Sequence, residues 1–110
     1  MKLNIYDHKE VVKTYEANAY ELMFGTVEDL IDAAKLDTIE NGSDAELVLA
    51  ATNLVTTSMG TVKDLLKDIF EGLTDDEIKQ TRVSEIVNVL VEVIMYAIGQ
   101  ISLFGSKGKN

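Results

Sequence analysis

The chain has 110 residues, of which 46% are hydrophobic, enough to bury the core of one domain. Its formal net charge is -9, from 19 acidic and 10 basic side chains, which disfavours direct nucleic-acid binding because phosphate contact needs a basic face. The absence of cysteine excludes disulfides, thiolate metal sites and cysteine nucleophiles, and the absence of proline leaves glycine to punctuate the helices.

Lys2 to Tyr6 alternates, with Leu3 and Ile5 on one face, and Val11 to Glu16 alternates again after the polar Asp7-His8-Lys9. Two short alternating runs around a polar turn predict a β-hairpin over residues 1–17. Such a hairpin is marginal alone in water, so it should pack on helices or on another subunit's hairpin. Asn18 to Gly25 reads as a connection that Tyr20, Leu22, Met23 and Phe24 pin to the core. Thr26 is placed to cap the next helix, with Asp29 three residues on and Val27, Leu30, Ile31 and Ala34 as its apolar face. Asn41-Gly42 ends that helix. Ser43-Asp44-Ala45-Glu46 is a capping box that opens another, carried by Leu47, Val48, Ala51, Leu54 and Val55 to about Met59. Gly60-Thr61 then either breaks or bends the helix.

Val62, Leu65, Leu66, Ile69 and Phe70 recur at i, i+3, i+4, i+7 and i+8, one face of an amphipathic helix. Gly72 follows where a helix favours a left-handed terminal residue. Thr74 to Glu77 is a second capping box, with Leu73 and Ile78 at the positions of a hydrophobic staple. From Arg82 to Ile101, Val87, Val89, Val91 and Val93 alternate as in a strand. The run has about twenty residues without a breaker, too long for a typical strand, so it reads as a helix. Its apolar arc is about 200° wide, against the ~100° stripe that one packing face needs. Either neighbours cover it on several sides, or part of it is a partner or self-association surface, with Val83, Leu90, Ile94 and Ile101 as the candidate residues.

The architecture expected is mainly α: a small bundle of about four to five helices with a short N-terminal β-hairpin. It forms one domain over residues 1–102, with 18–102 helical and 103–110 a flexible tail. The start of the chain does not resemble a signal peptide. Ile86 to Ile98 is interrupted by Asn88 and Glu92 and falls short of the ~20 residues of a membrane span, so a cytoplasmic location is expected.

No residue pattern carries chemistry. His8 is the lone histidine and sits in a turn without a positioned partner. Asp75-Asp76-Glu77 coincides with a helix first turn, which favours carboxylates, and does not match a calcium loop. Glu85 and Glu92 lack the Glu-x-x-His partner of a di-iron bundle. The reading is a non-enzyme without catalytic, cofactor-binding or metal residues.

The block KDLLKDIFEGLTDDEIKQTRVSEIVNVLVEVIMYAIGQI (Lys63 to Ile101) resembles the C-terminal half of tail assembly chaperones from long-tailed phages and prophages of Gram-positive bacteria. YELMFGTVEDLIDA (Tyr20 to Ala33) is similar to that family's middle region. The resemblance implies an assembly factor that binds the tape measure protein, keeps it soluble and helps recruit tail tube subunits. It also implies self-association, absence from the mature virion and no cofactor. A longer form made by ribosomal frameshifting is common in the family, and Gly108-Lys109-Asn110 is compatible with a slippery codon run. The alternative is an acidic oligomeric adaptor or regulator that binds a folded host or phage partner.

Overall fold

Among the described residues, Leu3 and Ile5 are the two strand residues that lose all or nearly all of their exposure, and they do so against the last helix. The structure, a computed structural model, describes residues 1–18, 21–34 and 43–105, with 100–105 described by their backbone alone. Within these, β1 (Lys2–Asp7) and β2 (Glu10–Glu16) form a two-stranded antiparallel sheet. Helices α1 (Phe24–Ala34), α2 (Asp44–Thr57), α3 (Met59–Ile69), α4 (Asp75–Lys79) and α5 (Val83–Gly105) follow. The mainly helical fold with an N-terminal hairpin is as the sequence predicts.

The hairpin pairs Leu3 with Tyr15, Asn4 with Thr14 and Ile5 with Lys13, and a bulge then brings Val11 opposite Tyr6. His8 turns the chain at a positive φ of 59°. β1 packs on α5, while α2 runs along α5 and α1 touches α2, α3 and α5.

Helix boundaries follow the local chemistry closely. Ser43 accepts from the Glu46 amide at 3.3 Å, and the Glu46 carboxylate accepts from the Ser43 amide at 3.4 Å. Thr74 and Glu77 make the same reciprocal pair at 3.2 and 3.1 Å. Leu73 and Ile78 are buried on either side of that box, as a staple requires. Gly72 has φ +89°, a conformation in which a Cβ meets the following carbonyl. The end that Asn41-Gly42 gives to α1 lies outside the described residues.

Three boundaries differ from the sequence reading. α1 begins at Phe24, so Thr26 lies inside it and is not its cap; the Thr26 hydroxyl donates to Asp68 Oδ2 at 3.2 Å, across to α3. The break between α2 and α3 falls at Ser58 (φ -138°, ψ 46°), not at Gly60, which is helical. α5 continues through Gly105, past the point where the tail was expected to begin. Its alternating valines do not make a strand because Ile86, Val89, Leu90, Val93, Ile94 and Ala97 fall on one helical stripe. All six are buried.

That stripe meets Leu47, Ala51 and Leu54 of α2, Val62, Leu65, Leu66 and Ile69 of α3, Val27 and Leu30 of α1, and Leu3 and Ile5 in one core. Phe70 is 1% exposed.

Candidate interaction surfaces

The apolar arc of α5 divides in the folded chain. Leu90 and Ile94 are both 0% exposed. They are core residues and do not line a surface, because β1, α1 and α2 cover that side of the helix. Val83 is 63% exposed at the helix start, and the Ile101 side chain lies outside the described residues. Of the four candidates, the structure therefore leaves Val83 as a surface residue and brings Leu90 and Ile94 together in the interior.

The connection before α1 departs from expectation in the opposite direction. Met23 and Phe24 are each 73% exposed and do not anchor it; Leu22 is partly buried against the core, and Tyr20 lies outside the described residues. Thr26, Val27 and Leu30 lie on the buried side of α1, whereas Phe24 at its first position is exposed. On α2 the buried stripe Leu47, Ala51 and Leu54 likewise turns Val48 and Leu49 outward.

α1 and α3 flank a groove of about 430 Å³. Leu30, Ala33 and Leu65 contribute apolar lining, and Asp29, Asp32, Asp64 and Asp68 contribute carboxylates. Each aspartate pair is legible as i, i+3 or i+4 on its own helix, but their meeting across a groove depends on how the helices pack.

The hairpin is tied to the helical body by two tyrosine–glutamate pairs. The Tyr6 phenol donates to Glu85, whose other oxygen accepts from the Asn4 amide at 3.1 Å, and the Arg82 guanidinium stacks 4.3 Å from the Tyr6 ring centroid. The hydrogen bond to Glu85 raises the Tyr6 pKa, because it holds the proton. The Tyr15 phenol donates to Glu77 Oε1 at 2.6 Å, and Lys13 Nζ reaches Glu77 Oε2 at 3.3 Å. The Tyr15 hydrogen bond is the main reason that the Glu77 carboxyl lies below its ordinary value; desolvation opposes it, and the Thr74 amide and Lys13 assist. Lys67 pairs with Asp75 at 2.6 Å, joining α3 to α4, and lowers the Asp75 pKa.

His8 is exposed, and its Nδ1 lies 2.8 Å from Oδ1 of its neighbour Asp7. Among the described residues no group of three or more metal-ligating side chains could hold an ion, and no helix is long and apolar enough to cross a membrane. No family model matches the chain, and neither the curated proteins nor the solved structures give a match.

Proposed function

We propose that this chain is a tail assembly chaperone of a long-tailed phage or prophage. It acts in the host cytoplasm, binds the tape measure protein, keeps it soluble and helps recruit tail tube subunits, and it is not retained in the virion. The observation that supports this reading most is the placement of Met23 and Phe24. They lie in the segment that is similar to the chaperone family's middle region, and both are 73% exposed. A long helical client with an apolar face needs such unburied side chains on its carrier, since amphipathic helices are recognised through apolar anchors.

Co-expression with a tape measure protein tests the reading. The parent chain is expected to move the client into the soluble fraction, and Phe24→Glu with Met23→Glu to reduce that effect while leaving the chaperone folded. A client that stays insoluble with the parent chain, or that is solubilised equally by the doubly substituted one, speaks against it.

The adaptor reading is favoured by one observation, the four aspartates that line the groove between α1 and α3. It predicts capture of a folded basic partner that weakens steeply with salt, and no effect on a helical client.

A further inference from the structure

The two edges of the hairpin are not equivalent. The amides of Asn4 and Tyr6 point away from β2, and both are occupied: Asn4 donates to Glu85 Oε1 at 3.1 Å and Tyr6 to the Gln80 carbonyl at 2.8 Å. The middle of the β1 edge is therefore covered by the helical body. In an antiparallel pair, directly opposed residues either exchange both hydrogen bonds or turn both pairs of groups outward. Asn4 opposes Thr14 and Lys2 opposes Glu16, so the backbone groups of Thr14 and Glu16 face outward on β2. The sheet has only two strands, and nothing among the described residues pairs with that edge.

We infer that the β2 edge pairs with β2 of a second copy of this chain, forming a four-stranded antiparallel sheet across a two-fold axis at Thr14. Charge selects the occupant. Residues 1–17 carry Lys2, Lys9 and Lys13 against Asp7, Glu10 and Glu16, so the hairpin is formally neutral and the whole -9 resides in the remainder. Two such chains meet at their hairpins without net like-charge repulsion between the paired segments. Charge also narrows the registry. Centring the axis on Lys13 sets Lys13 against Lys13 and Glu10 against Glu16, and centring it on Glu16 opposes two glutamates; both are unfavourable. Centring it on Thr14 sets threonine against threonine and Lys13 against Tyr15, a pair that already stacks within one chain at 4.5 Å.

Lysine on an open strand commonly blocks such pairing. Here the Lys13 side chain, 53% exposed, is held to Glu77 and over the Tyr15 ring, on the sheet face it shares with Ile5 and not along the edge. Val11 and Val12, 50% and 59% exposed, lie on the same strand. Because the middle of the β1 edge is covered, pairing closes at a dimer and does not propagate.

The proposal is independent of the client, so it is tested on the purified chain alone by sedimentation equilibrium. Thr14→Glu and Thr14→Lys each place like charges opposite one another at the axis. Each is expected to weaken the dimer by up to about fivefold, the scale of one unfavourable cross-strand pair, and an equimolar mixture is expected to recover it as a heterodimer. In the unsubstituted chain, amide exchange at Thr14 and Glu16 slows as concentration rises, a reading that needs no variant. A chain that stays monomeric to millimolar concentration overturns the proposal. So does a dimer that is indifferent to both substitutions, or a mixture no tighter than either variant.

Discussion

Tyr15 and Glu77, 62 residues apart, share a 2.6 Å hydrogen bond in which the capping carboxylate of α4 also fastens the hairpin. One side chain thus terminates a local motif and closes a long-range contact. Glu77 accepts from the Thr74 amide, the Thr74 hydroxyl and Tyr15, and it faces Lys13.

Removing these contacts in turn separates the two roles. Tyr15→Phe keeps the ring, which lies 6.2 Å from Phe70, and loses only the donor, so a small drop in Tm is expected. Glu77→Ala removes the cap, the ion pair and the hairpin acceptor together, and its Tm falls further. Thr74→Ala loses the cap alone, about 1 kcal/mol. A Tyr15→Phe chain that melts with the parent, together with a Glu77→Ala loss no larger than that of Thr74→Ala, would show that the carboxylate does not join the two elements.

The pH dependence has a definite sign. The folded-state pKa values of Glu77 and Asp75 are depressed. Their contribution is present above the ordinary carboxylate value of about 4 and is lost as pH falls through the depressed values. Lys67 and Tyr6 are raised. Their contribution is complete below their ordinary values near about 10 and is lost as pH rises through the raised ones. The stability gap between the parent and Tyr15→Phe should therefore narrow in acid below about pH 4, which urea melts across pH would show. A gap that stays constant through that range contradicts the assignment to Glu77.

Gly72 and Gly60 should respond oppositely to alanine. A Cβ at either meets nothing within 4 Å, so only backbone conformation counts. Gly72 has φ +89°, and Gly72→Ala is expected to cost about 1–2 kcal/mol, with Gly72→Asn costing less. Gly60 is helical, and Gly60→Ala is expected to stabilise by about 0.5 kcal/mol through a less flexible unfolded chain. Two changes of the same sign in thermal melts would contradict this account.

Burial also separates the α5 candidates. Leu90→Ala and Ile94→Ala remove fully buried side chains and are expected to cost about 2–5 kcal/mol each. Val83→Ser alters an exposed position and should stay within about 0.5 kcal/mol. If Leu90→Ala leaves the melting curve in place, the packing of α5 described above is wrong.

Contacts among a few neighbouring residues are legible in the amino-acid sequence. Ser43 with Glu46, Thr74 with Glu77 and the left-handed Gly72 are governed by contacts within one turn, and the two alternating runs around Asp7-His8-Lys9 determine the hairpin in the same way. Which apolar residues are covered depends on how the elements pack. The wide arc of α5 is compatible with several arrangements of neighbours, and only the approach of β1, α1 and α2 hides Leu90 and Ile94. The same packing fixes the buried side of α1, leaves Met23 and Phe24 exposed and sends the Thr26 hydroxyl to Asp68 instead of to a helix end. The physical reason is range. Caps and turns are set by hydrogen bonds a few residues apart, whereas burial is set by area removed from water between segments distant in sequence, to which periodicity within one segment is blind.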